Sequence, residues 1–461
     1  MIRISTFLNC FLPFGLLCII LSISSLTHAE DLLQIFAAIQ NHDPAWKTKE
    51  YEYQAGIQAK GKGRAYLLPA LMLGGEHKEV THKPDCGNSE DPGCSEVESE
   101  YSSSIYQLQF KQTLFDMEDW YTWQQGKAFA EKAEIEYQGA MQNNLYNTAV
   151  LYFDVLRTQE DFYLAQAEKD ALATQLKEIQ TKANVGVANQ TEVLETQASA
   201  DLAMVNHITV LGYLKVAREK LITHTGIEKP TVMALSQDFP IQHLVPFDEQ
   251  LWVNKAKENS PNLLALEQAI DLAHKSYRKQ SAAAYPKVDF FASIAEQDQD
   301  GGSFIINGRT ESVGIQVSIP LFAGMGDHYA SKEYKMKYFQ TSEDAEAQTR
   351  ELIQIVKNRF RSIYTDVLTV EAQRNALNSS ERALRAVKAE YDAGSRNMID
   401  VLNAQQRLFD AKRALSHARY NYLLDRLQLK LFVGELTIAD LTVVNQWLVI
   451  DDTLMDLNTI P

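Results

Sequence analysis

The chain has 461 residues and carries 60 acidic against 44 basic side chains, a formal net charge of −16. Such acidity speaks against a nucleic-acid partner and against electrostatic binding to anionic lipid. Apolar residues make up 45%, enough for a packed core, yet proline is missing from 93 to 229 and from 321 to 460. Long helical runs therefore take the place of two or three ordinary domains.

At the N-terminus Arg3 precedes a mostly apolar stretch, Phe7 to Ile23, and Thr27-His28-Ala29 offers small residues before a cut. This reads as a signal peptide, residues 1–29, with Glu30 opening the mature chain; a membrane anchor is the competing reading. Losing Arg3 takes the charge from −16 to −17. A lipoprotein fits less well, because Cys18 follows Leu17 inside the apolar stretch. No later stretch reaches about 20 consecutive apolar residues, so no helical membrane span is expected.

The mature chain opens with a helical segment, Leu32 to Ile39, and Pro44 suits the first turn of a second helix that runs toward Tyr66 and ends before Pro69. The period then changes to two. Leu71 to Val80 forms one alternating stretch, and Tyr106, Leu108 and Phe110 alternate with Gln107, Gln109 and Lys111 in the next. Strands are expected at about 71–80 and 102–113. The loop between them holds Cys86 and Cys94, since Cys10 and Cys18 leave with the signal peptide. In an oxidising compartment a disulfide is the natural reading; His77, His82 and Asp85 offer a zinc site as the alternative.

Asp116 to about Asn184 is one proline-free run of roughly 100 Å at 1.5 Å per residue. Trp120, Tyr121 and Trp123 near its start suit either an interfacial aromatic belt or helix packing. Gly186 ends the run in a tight turn, and a returning helix starts near Thr191. Pro230, Pro240 and Pro246 mark a linker, 231–250.

The same order then repeats. Pro44 and Pro261, like Pro69 and Pro286, stand 217 positions apart; Gly186 and Gly394, like Glu192 and Asp400, stand 208 apart. The chain is an internal duplication, with repeats at 30–230 and 251–433 and a C-terminal segment at 434–461. Val288, Phe290, Ala292 and Ile294, then Val313, Ile315 and Val317, place the second pair of strands at about 287–296 and 311–320, around a loop rich in Asp and Gly. A long helix from about Asp327 to Ala393 meets Gly394, and the return starts near Ile399. Val401, Ala404, Leu408, Ala411, Leu415, Ala418 and Tyr422 form a coiled-coil seam along it. The C-terminal segment is expected to wrap the outside.

Alternation over about 10 positions fits a strand with lipid on one face and water on the other, or the edge of a soluble sandwich. Four strands cannot close a barrel, for which about eight is the minimum; three chains of four would make one of 12. These features resemble the TolC family of outer-membrane efflux channels. The runs that carry the likeness are Leu114-Phe115-Asp116, YDAGSRNMIDVLNAQ at 391–405 and ARYNYLLDRLQLKL at 418–431, within a resemblance that covers about 31–445.

The resemblance implies an α/β membrane channel, a homotrimer. Its 12-stranded outer-membrane β-barrel, four strands per chain, is continued by a 12-helix coiled-coil α-barrel across the periplasm. It implies contact with outer-membrane lipid, a periplasmic adaptor protein and an inner-membrane pump, and no cofactor, metal or catalytic site. Asp400 matches the aspartate of the closed periplasmic entrance, while the family's second aspartate is replaced by Asn403. Tyr391 and Arg396 match residues that tie the inner hairpin to its neighbour through the positions of Thr191 and Glu192. The turns Val185-Gly186-Val187 and Ala393-Gly394-Ser395 resemble the surface that meets the adaptor.

Physically, three Asp400 side chains around one axis would attract cations; alone, Asp400 is also a carboxylate favourable to a helix start. The expected function is passive exit from a tripartite efflux or type I secretion system. A secreted coiled-coil adhesin is the alternative from another class, and it would not need the four alternating strands.

Overall fold

The computed structural model describes residues 30–82, 99–301, 307–322 and 324–450. The signal-peptide reading, Asp85, the Cys86–Cys94 loop and residues 451–461 lie outside them. The first half holds α1 (Leu32–His42), α2 (Pro44–Ala65), β1 (Ala70–His82), β2 (Ser99–Phe115), α3 (Met117–Asn184), α4 (Gln190–Thr225) and a short strand β3 (Ala234–Leu235). The second half repeats the order with α5 (Glu249–Asn259), α6 (Pro261–Ser281), β4 (Lys287–Gly301), β5 (Gly308–Ser318), α7 (Gly326–Asp392) and α8 (Met398–Val433). Helix α9 (Ile438–Asn445) and strand β6 (Leu448–Val449) follow.

Local chemistry explains where the helices start. Asp31 and Gln34 form a capping box on α1, each accepting the other's backbone N–H, at 2.8 and 3.0 Å. Pro44 occupies the first turn of α2 with Asp43 as its cap. Asp116 accepts the N–H groups of Glu118 and Asp119 at 2.7 and 3.3 Å, and both those acidic residues favour the positive helix end. From there α3 runs 68 residues, about 100 Å. Helix α2 lies against its upper part so closely that a Cβ on Gly63 would stand 2.8 Å from the Thr122 carbonyl. Trp120 is exposed, and its ring meets Trp123 edge-on at 4.9 Å.

The four long strands form one antiparallel sheet in the order β1-β2-β4-β5. Its register sorts side chains onto two faces. Leu71, Phe110, Ala292 and Val313 are cross-strand neighbours on one; Leu73, Leu108 and Ile294 continue it. The opposite face carries Gln109, Ser293 and Ser312, with a Lys111–Asp289 ion pair at 2.9 Å and a Ser293–Ser312 hydrogen bond at 2.7 Å. Nothing among the described residues covers the apolar face: Leu73 is 80% exposed and Val313 72%. Strands β1 and β5 each leave one edge unpaired among the described residues.

The strands also outlast the alternation. Gln299 and Asp300, placed in a loop by their composition, continue β4 by pairing with Ser103 and Ser102. Backbone pairing needs no apolar face, so it carries on where the side chains turn polar.

The core lies midway along the helices, where α1, α3, α5, α8 and α9 meet. The buried Tyr152 hydroxyl donates to the Met233 carbonyl at 3.0 Å and accepts the Met233 N–H at 2.8 Å. Tyr422 bonds Gln242 in the same two ways, at 2.6 and 2.9 Å. The proline-marked segment between the halves is thus pinned to the core, and β3 pairs with β6. Nor does the C-terminal segment only wrap the outside: Leu441 is fully buried. Helix α8 buries more than the expected single seam. Val401, Ala404, Ala411, Ala418 and Tyr422 are buried, Leu408 and Leu415 only half, and Met398, Phe409, Tyr420 and Leu423 are buried as well. It packs on α3 as well as α7, so two stripes are covered.

Beside this core, Arg359 of α7 donates to Asp425 of α8 at 3.0 Å, while Asp366 Oδ2 is buried without a partner among the described residues. Burial first, then the Asp425 charge, pushes the Asp366 carboxyl from 3.8 up to about 6, with Arg359 opposing. Between about pH 4 and 6 the folded chain therefore holds a proton the unfolded chain has lost. That stability is present below about pH 4 and is lost as the pH rises through about 6. Asp366 is partly solvated, so the effect is discounted to about 1 kcal/mol. Asp366→Asn is expected to raise the thermal midpoint at pH 7 and to reduce its slope between pH 4 and 6; an unchanged slope refutes this.

Candidate gate at the hairpin tips

Both long hairpins end in the same hydrogen-bonded turn. In the first, the Val187 N–H donates to the Lys182 carbonyl at 2.8 Å and the Gly186 N–H to the Ala183 carbonyl at 3.0 Å. In the second, Ser395 donates to Glu390 and Gly394 to Tyr391, both at 2.9 Å. This is the Schellman arrangement, and its left-handed residue is Gly186 at φ +78° and Gly394 at φ +80°. A Cβ would find open space at either glycine, so the backbone angle, not crowding, selects the residue.

The returning helices are capped alike. Asn189 accepts the Glu192 N–H at 2.8 Å, and Asn397 accepts the Asp400 N–H at 3.0 Å. Glu192 also accepts the Asn189 N–H, at 3.4 Å, whereas the Asp400 carboxylate is turned toward Arg396, 3.8 Å away. Arg396 itself donates to Glu390 Oε2 at 2.9 Å, so one guanidinium stands between two carboxylates of its own hairpin.

Tyr391 reaches across to the other hairpin. Its ring joins an apolar cluster built on Leu172, Ile179, Met398, Val401 and Leu402, and Lys182 Nζ sits 5.2 Å from the ring centre. Burial, then the Glu192 carboxylate, then Asp392 push its phenol up. The structure therefore brings Tyr391 and Glu192 together, and Arg396 and Asp400 together. Thr191 and Asn403 are exposed. Val185 and Val187 stand 72% and 74% exposed, leaving the first tip with an uncovered apolar end.

Two residues of this site carry no signal in the sequence. Glu390 precedes Arg396 by six positions, a spacing that pairs them only because the Gly394 turn folds back. Lys182 is found only from the approach of the two hairpins.

The outer membrane efflux protein family model matches residues 42–227 and 252–435, one stretch in each half of the chain. The chain belongs to this family. TolC of Escherichia coli is 28% identical over 434 residues, covering 92% of this chain and 86% of its own length. The alkaline protease secretion protein AprF of Pseudomonas aeruginosa is also 28% identical, covering 88% of this chain and 85% of its own. In structure, the CmeC outer membrane channel of Campylobacter jejuni matches with a TM-score of 0.77 at 14% identity, covering 92% of this chain and 91% of its own. This efflux-family chain is accordingly a passive outer-membrane duct that spans into the periplasm, not an enzyme, and the adhesin alternative is set aside.

Proposed function

We propose that three copies of the mature chain form the duct and that the hairpin tips are its periplasmic gate. The observation that carries the assembly is the four-stranded sheet, with one apolar face, one polar face and, among the described residues, both edges open. An open sheet edge in lipid leaves backbone groups unsatisfied at several kcal/mol each, so closure must come from further chains. Three chains give 12 strands, with the Leu73 face to lipid and the Lys111–Asp289 face to water. The helices of the two repeats continue the wall across the periplasm.

At the far end, Asp400 from each chain lines the constriction and Asn403 follows it one turn on. Tyr391 and Arg396 hold the inner hairpin closed against neighbouring Thr191 and Glu192. Val185-Gly186-Val187 and Ala393-Gly394-Ser395 present the surface for a periplasmic adaptor, which links the duct to an energised inner-membrane pump. The substrates are small toxic molecules or secreted proteins; the protease-secretion name of AprF supports the second class.

In mild detergent the processed protein is expected to run at three times its chain mass and to insert into planar bilayers as single conducting units. A stable monomer removes the closure argument. A trimer that never conducts removes the duct.

A further inference from the structure

Well above the tips, α8 is bonded to α3 of the same chain through charged groups. Arg413 donates to Glu168 Oε2 at 2.9 Å and, through its other terminal nitrogen, to Asp410 at 2.6 Å. Glu168 is only 8% exposed. One turn further on, His417 Nε2 lies 2.9 Å from both carboxylate oxygens of Asp161. Tyr420 donates to Glu160 Oε1 at 2.8 Å, and Ser416 donates to the other Glu160 oxygen.

Toward the tip the contact changes character. Leu172 and Ile179 of α3 meet Met398, Val401 and Leu402 of α8, with Ala203 of α4 beside them. Among the described residues, Gln175 Nε2 makes a polar contact there to Met398 Sδ, at 2.8 Å. Apolar contact is non-directional and tolerates a change of tilt by repacking. Separating Arg413 from Glu168 instead strands a buried carboxylate without its cation. The border falls about 24 Å above the end of α3, from 16 residues at 1.5 Å each.

We propose that Glu168 and Arg413 are the pivot of the gate, positioning residues that fix α8 on α3 so that release of the tips swings only the segment below them. This rests on the tip-gate reading above, but its first test does not. In the wild-type trimer, backbone amides of 399–412 are expected to exchange with solvent faster than those of 414–430. In Arg413→Gln the border is expected to move up to the His417 and Tyr420 contacts. Uniform exchange along α8, or a border unmoved in Arg413→Gln, overturns the pivot.

The second test uses single-channel conductance. With intact tips Arg413→Gln should leave the closed conductance nearly unchanged. In the Tyr391→Phe/Arg396→Ser background it should raise conductance about twofold further, the non-additivity expected of coupled elements. Exchanging the charges, Glu168→Arg with Arg413→Glu, should remove that increment. Equal opening by Arg413→Gln in both backgrounds would make the pair a latch and overturn the proposal. If the tip variant itself fails to conduct more, the tip gate falls and the exchange border decides the pivot. Should Arg413→Gln not assemble, Arg413→Lys serves, because it keeps the charge and loses the two-pronged donor geometry.

Discussion

Arg396→Ser combined with Tyr391→Phe is expected to raise single-channel conductance several-fold while the trimer keeps its stability. Both residues act at a solvent-facing tip, where single hydrogen bonds and ion pairs contribute little, so each change alone should matter modestly. Their partners differ, and that is why the pair is needed. Tyr391 belongs to the surface between the hairpins, near Glu192 and under Lys182; Tyr391→Phe keeps the ring in the apolar cluster and removes only the hydroxyl. Arg396 belongs to its own hairpin, between Glu390 and Asp400, and its loss leaves two uncompensated carboxylates on that tip. Repulsion then adds to the lost tie. Stability is spared because Tyr422, Leu423 and Leu427 remain buried in the core far from the tip. Bilayer recordings with a heat-dissociation assay of the trimer decide the matter. Unchanged conductance in the double variant refutes the tie, and a trimer that dissociates earlier would show that the tips carry stability instead.

Much of the fold is legible in the sequence, for identifiable reasons. The duplication leaves fixed offsets, and the turn needs a left-handed residue, so Gly186 and Gly394 announce both tips. A barrel strand must alternate, so Phe110, Ala292 and Val313 declare their common face. What stayed hidden depends on three-dimensional approach. A heptad seam describes one partner, and α8 has two, which is why Leu408 and Leu415 are less buried than expected and Arg413 reaches Glu168. Residues 234–235 and 448–449 are too short for any periodic signal, and only their pairing makes them strands. The Arg396–Glu390 bond spans the turn itself, where helical spacing rules do not apply.

Asp400→Asn is expected to act differently from the tip release: it should weaken cation preference and block by multivalent cations without opening the pore. The substitution isolates charge, because Asn397 caps the helix through the backbone N–H of residue 400, which Asn retains. With Asn403 exposed one turn on, each chain gives this ring one carboxylate, so its removal should lower blocker affinity by at least about tenfold, roughly 1.4 kcal/mol. Arg396 supplies an internal control. Its guanidinium stands 3.8 Å from Asp400 and offsets part of that charge, so Arg396→Ser alone should tighten the block while Asp400→Asn loosens it. Raised salt should shrink both differences, since the groups are solvent-facing. Titration of a trivalent cation against single channels reads both variants against the wild type. Tight block that persists in Asp400→Asn would refute its place at the constriction and direct attention to Glu192, the carboxylate at the same position of the first repeat.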